Sequence, residues 1–127
     1  MLEAVRKAYF DHLRANLSVP VYSRVPDEAR PPFVVISAIA MGEAAEKNGA
    51  HVPVTVNLLV VEAGRSPART DQLTWNVVSA VQQQDLGIAS PYSATEPSLV
   101  SASTTERGDG DGKLWVGEIA FTQMVSH

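Results

Sequence analysis

Apolar residues Leu2, Val5, Tyr9 and Leu13, joined by Phe10 and Leu17, recur every three or four positions, with Glu3, Arg6, Lys7, Asp11 and Arg14 largely between them. The spacing predicts an amphipathic helix of about four turns. It must end before Pro20, because a proline ring disfavours helical geometry at the preceding residue and clashes with the carbonyl four residues back. Val21, Tyr22 and Ser23 then predict a short strand. Residues 26–32, with Pro26, Pro31 and Pro32 among Asp27, Glu28 and Arg30, predict an extended surface connection. Phe33–Met41 is apolar and β-branched near its start, the pattern of a strand covered on both faces.

Residues 42–50 interrupt that pattern with Glu43, Glu46, Lys47, Asn48 and Gly49. Val52, Val54, Val56, Leu58 and Val60 then alternate with other residues and predict a long strand, paired antiparallel with the one before through an unusually long hairpin tip. Ser66-Pro67 predicts a helix start, Ser66 capping free amides and Pro67 taking the first helical position, where no amide proton is needed. The helix should run to about Gln84, with Gly87 closing it. Leu73, Val77 and Val81 form its buried stripe, flanked by Ala80 and by Trp75 or Val78. Residues 85–97 read as a loop with a strand fragment around 88–92. Residues 99–105 and 113–125 predict a second hairpin around a glycine-rich turn. On its last strand Trp115, Gly117, Ile119, Phe121, Gln123 and Val125 share one face, and Leu114, Val116, Glu118, Ala120, Thr122 and Met124 the other. Both faces are largely apolar, so this strand is central or lies against a neighbouring subunit. The predicted fold is α+β: one domain spanning residues 1–127, an antiparallel or mixed sheet of four to five strands, two main helices packed on it, and long β-hairpins.

Composition narrows the function classes. The chain has 127 residues, 45% of them hydrophobic and 19% charged, which fits a folded globular chain with one core. A formal net charge of -4 with only ten Lys and Arg argues against a nucleic-acid binder, which needs clustered cations against phosphate. The absence of cysteine removes disulfides, thiolate metal sites and thiol nucleophiles. The N-terminal segment lacks the apolar core of a signal peptide, no stretch is long enough to span a membrane, and a cytoplasmic product is the simplest expectation.

Nothing along the chain assembles into an active site. Asp109 and Asp111 alternate as in a calcium loop, but the third oxygen side chain and the bidentate glutamate are missing, so the segment reads as a hairpin turn. His12, His51 and His127 are far apart, each without a second ligand at metal spacing. The serines show no nucleophile elbow. Gly108-Asp109-Gly110 does not open a helix and forms no phosphate cradle. Glu43 with Glu46, and Asp27 with Glu28, lie in polar loops where no burial shifts a carboxyl into acid or base duty. Trp75 and Trp115 sit in periodic segments and read as core or interface. Arg65 and Arg69 near the start of the second helix offer charge for an anion, although Arg65 with Glu62 reads as easily as a surface pair. No cofactor and no metal are expected.

The order of elements carries more information than any single residue. An N-terminal amphipathic helix, Val21-Tyr22 before the Val25-Pro26 turn, Pro32-Phe33-Val34-Val35-Ile36, the strand Val54-Thr55-Val56-Asn57-Leu58-Leu59-Val60, and a helix opening Ser66-Pro67-Ala68-Arg69 together resemble the tail-completion proteins of long-tailed phages. These are also called tail terminators or tail-to-head joining proteins, and gene-transfer agents carry related ones. The resemblance covers nearly the whole chain. It implies a virion structural protein, made in the host cytoplasm, that forms a hexameric ring on the head-proximal end of the tail tube. Such a ring stops tube growth and joins the tail to the head connector. The implied partners are copies of the chain itself, the tail tube protein and the head-tail connector or neck protein, with DNA only in transit and no membrane. Candidate assembly contacts are Arg24, Arg30, Glu43, Glu46, Lys47, Asn48, His51, Arg107, Asp109 and Asp111. The alternatives are a neck or head-completion protein of the same particle and, in a different class, a small-molecule-binding or enzymatic α+β domain. The latter requires convergent polar groups in an apolar pocket.

Overall fold

The computed structural model describes residues 1–43, 51–64, 66–83, 86–108 and 113–126. The elements in chain order are α1 (Leu2–Asn16), β1 (Val21–Tyr22), β2 (Phe33–Met41), β3 (His51–Ala63), α2 (Ala68–Gln83), β4 (Ser93–Ala94), β5 (Ser98–Arg107) and β6 (Leu114–Ser126). They form an α+β fold with a six-stranded mixed sheet. β1 pairs parallel with β2, and antiparallel pairing carries the sheet on through β3 and β6. Both β4 and β5 pair antiparallel with β6.

Local chemistry explains why these segments form. In α1 the stripe Val5, Tyr9 and Leu13 is fully buried while Glu3, Lys7 and Asp11 face solvent. Burial of each such side chain contributes about 1.5–3 kcal/mol relative to exposure. The helix ends as the Leu17 amide donates to the Leu13 carbonyl and Leu17 turns extended, ahead of Pro20. α2 begins as expected: Ser66 Oγ accepts from the Ala68 amide at 3.2 Å, and the Pro67 carbonyl accepts from the Asp71 amide at 2.8 Å. Its buried stripe is Leu73, Val77, Val78 and Val81, extended by Thr70 and Thr74.

The core lies between the two helices and one face of the sheet. β3 contributes Val54, Val56, Leu58 and Val60, β6 contributes Ile119, Phe121 and Val125, and β2 contributes Val34 and Ile36. The register sets these residues opposite one another, Val60 against Val34 and Leu58 against both Ile36 and Ile119. Some buried polar groups on this side are paired, whereas Thr70 Oγ1, Thr74 Oγ1 and Trp115 Nε1 have no hydrogen-bond partner among the described residues. Tyr9 Oη donates to Gln123 Oε1 at 3.1 Å, and Gln123 Nε2 donates to the Thr95 carbonyl at 2.7 Å, tying α1 through β6 to the segment after β4. Burial raises the Tyr9 phenol well above its ordinary pKa. His12 Nε2 lies 2.7 Å from the Ala80 carbonyl and joins the two helices.

Four expectations need correction or narrowing. Phe33–Met41 is not covered on both faces throughout: its first four residues are buried, but Ser37, Ala38, Ala40 and Met41 are exposed. The cover runs out because β1 pairs only with Val34 and Val35, and a bulge between Ile36 and Ala38 turns the strand's far half outward. The strand fragment expected at 88–92 lies instead at Ser93–Ala94, where pairing with β6 decides the boundary. Of the two readings of Trp75, core or interface, its 62% exposure removes the first. Glu62 is not a surface residue either: it sits buried on the helix-covered face, opposite Trp115, while Arg65 lies outside the described residues.

Candidate assembly surfaces

Strand periodicity sorts the central strands into two faces with different fates. On β6 the residues Gly117, Ile119, Phe121, Gln123 and Val125 are buried under the helices, as the alternation predicts. The alternate set, Leu114, Val116, Ala120, Thr122 and Met124, is only half-buried, with Glu118 exposed. β3 behaves the same way, with Pro53, Thr55, Asn57, Leu59 and Val61 half-buried on the second face. Among the described residues both helices belong to the first face, so the second is bare sheet.

This bare face is creased. Both outer long strands carry a bulge at the same level, between Ile36 and Ala38 on β2 and between Leu99 and Ser101 on β5. Ala38, Asn57, Ala120 and Ser101 lie side by side there in one row across four strands. Bulges bend a strand and increase its twist, and two in register bend the sheet along a line. A shallow trough of about 430 Å³ follows that line, with Leu59 and Glu118 on its flank. Small side chains in the row leave the backbone approachable by a neighbouring surface.

The candidate contact residues do not converge on one spot. Glu43, exposed just beyond β2, and His51, at the start of β3, flank the first hairpin tip. His51 is half-buried, with Nδ1 2.6 Å from Ser126 Oγ. Arg107 ends β5 at the opposite limit of the sheet, where its guanidinium donates to Glu118 Oε1 at 3.3 Å. β3 spans the interval from the first tip to the second, roughly 40 Å of extended chain. Arg24 and Arg30 are exposed on the connection between β1 and β2, at a sheet edge. Glu46, Lys47, Asn48, Asp109 and Asp111 lie outside the described residues. The described candidates fall at two ends and one edge of the sheet.

Sequence reasoning missed the surface beside β5. An open groove of about 370 Å³ runs between α2 and β5, lined by Asp71, Thr74, Trp75, Val78, Leu99 and Ala102 among others. Trp75 stands exposed on one wall. Helical periodicity places it, or Val78, beside the buried stripe, and the structure buries Val78 instead. The groove has the apolar lining of a ligand site but no convergent set of polar groups. Among the described residues no three His, Cys, Asp or Glu side chains could hold a metal ion, and no helix is long and apolar enough to cross a membrane.

Among the described residues the sheet thus carries both helices on one face and is bare on the other. The family model for tail completion protein gp17 matches residues 7–126. The chain belongs to this tail completion family, whose members are structural components of the virion tail and not enzymes. No curated protein matches it. Among solved structures it resembles a chain in the virion of a native gene transfer agent particle, with a TM-score of 0.85 at 18% sequence identity. That match covers 98% of this chain and 96% of the other, and at such identity the likeness is one of fold.

Proposed function

We propose that this protein is a tail terminator: one domain over residues 1–127 that forms a ring, hexameric as in the family it resembles, on the head-proximal end of a tail tube. The ring stops tube growth and joins the tail to the head connector. The observation that carries this reading is the bare, creased second face of the sheet in a chain matched to a tail completion family over residues 7–126. Sheet surface left uncovered among the described residues is available to other subunits. Heterologous contacts of this kind close into a ring when the rotation between copies divides a circle. The two ends of the sheet then have separate duties. Glu43 and His51 at one limit of the sheet and Arg107 at the other suit two partners in line, the tail tube protein and the connector. A formal net charge of -4 suits a ring through which DNA passes without being held. The likeness to a chain of a gene transfer agent virion supports the same role in such a particle.

Electron microscopy of particles made without this protein tests the role. Tails of uncontrolled length, or tails detached from heads, are expected; normal joined tails would refute it. Filled heads beside free tails of normal length would move the assignment to a neck protein.

A further inference from the structure

The sheet has two unfinished edges, and both are chemically unprotected. On one side, β1 covers only Val34 and Val35, so residues 37–41 of β2 have no strand beside them among the described residues. On the other side, β5 pairs with β6 alone, and nine of its ten residues are exposed. Soluble proteins ordinarily guard such edges with charge or proline, because a row of free N–H and C=O groups templates pairing with another chain. Here residues 37–42 (Ser-Ala-Ile-Ala-Met-Gly) and residues 98–105 (Ser-Leu-Val-Ser-Ala-Ser-Thr-Thr) contain neither. The exposed large apolar side chains gather at the same places. Met41 (53%) and Val25 (41%) lie at the β1–β2 side, and Trp75 (62%), Leu99 (39%) and Val100 (62%) at the β5 side.

Strand sense identifies the occupant. β2 runs against β3, β3 against β6 and β6 against β5, so β2 and β5 point in opposite directions. A neighbour rotated about an axis along the strands keeps its own sense, which brings its β2 antiparallel to β5 of the first copy. A foreign strand would satisfy one edge and leave the other open. A copy of the same chain satisfies both at once, and repetition closes the long strands into a ring. We infer that the subunits join edge to edge, β5 of one copy pairing antiparallel with residues 37–41 of the next, with Trp75, Leu99 and Val100 packing against the neighbour's Met41 and Val25. The inference rests on the ring reading above and specifies its contact.

The chain has no cysteine, so introduced pairs report this contact without background. Ala38 and Ala40 on β2, and Ser101 and Ser103 on β5, lie on the bare face. Double variants combining Ala38→Cys or Ala40→Cys with Ser101→Cys or Ser103→Cys sample the adjacent registers. After mild oxidation, at least one pair should give a ladder of disulfide-linked oligomers ending at the ring size, and the single variants should give none. Val100→Lys and Met41→Lys, each charging one edge at an exposed position, should reduce the oligomer to monomer by native mass spectrometry with melting temperature essentially unchanged. A ring that forms without any of the cross-links, or survives both lysine variants, overturns the edge contact and leaves the terminator role standing. Linked dimers from Ser101→Cys or Ser103→Cys alone would show β5 pairing with itself, and also overturn it. A chain that stays monomeric both alone and on tail tubes overturns the edge contact together with the ring.

Discussion

Gly117 of β6 lies close against Thr74 of α2. A Cβ added at Gly117 would fall 2.3 Å from Thr74 Oγ1, 3.4 Å from Val60 Cβ and 3.6 Å from Thr74 Cβ. The first distance is impossible for real atoms, the second is tight, and the third is ordinary contact. Gly117→Ala must therefore rotate Thr74 or push α2 off the sheet. Overpacking of this kind costs about 1–3 kcal/mol. The gain from replacing a strand glycine by alanine, about 0.5–1 kcal/mol, offsets part of it. The net expected loss is about 0.5–2 kcal/mol, and at roughly 4 °C per kcal/mol for a chain this size Tm should fall by about 2–8 °C. Because the clash is almost wholly with one hydroxyl, Thr74→Ala should relieve it. That substitution alone is expected to be nearly neutral: Thr74 Oγ1 has no hydrogen-bond partner among the described residues, and alanine is the better helix former. Urea denaturation of the wild type, both single variants and the double variant gives the coupling directly. The double variant should recover most of the loss. Gly117→Ala as stable as wild type, or effects that simply add, would refute this account of why glycine stands at 117.

Tyr9→Phe removes the donor that serves the buried Gln123 Oε1 and should cost about 1–3 kcal/mol by chemical denaturation. The same variant should alter the alkaline limb of stability. Burial raises the folded-state pKa of Tyr9, so its contribution is fully present below the unfolded value near 10 and is lost as the pH climbs above it; the decline should be shallower in Tyr9→Phe. Trp75→Ser should change monomer stability by less than about 1 kcal/mol, because the indole is mostly exposed, yet weaken self-association measured by sedimentation. Glu118→Ala breaks an exposed pair with Arg107 and should shift stability by at most about 1 kcal/mol, an effect that high salt removes.

Much of the fold was legible because each element carries a periodic signal that local physics enforces. Leu2, Val5, Tyr9 and Leu13, spaced by three and then four, share one face on a helix and not on a strand, and Ser66-Pro67 marks a helix start. The alternation along residues 114–126 assigned every residue of β6 to its observed face. Glu62 and Trp75 are ambiguous for a common reason: each sits in a pattern that fits two environments. Glu62 follows Val60 in the alternation and is carried into the core as its strand continues. Trp75 borders the buried stripe and is left out, Val78 being buried instead. The bond from Tyr9 to Gln123, 114 positions apart in sequence, left no local signal at all.

The candidate site was less legible than the fold. Charged residues on hairpin tips stood out as contact candidates because charge is conspicuous in a sequence. The structure spreads the described ones over two ends and an edge, and directs attention to uncharged residues that look unremarkable in a row of letters. Ser-Ala-Ile-Ala-Met-Gly and Ser-Leu-Val-Ser-Ala-Ser-Thr-Thr are ordinary strand sequences until the topology makes both of them edges.

The sequence by itself determined the element order, the α+β class, the buried faces of both helices and of β6, and the resemblance to tail completion proteins, because periodicity and turn chemistry act over a few residues. Tertiary structure alone decided which strands end the sheet, that β4 and β5 share one side of β6, and that two bulges fall in one row. These depend on contacts between residues tens of positions apart, whose energies no local pattern encodes.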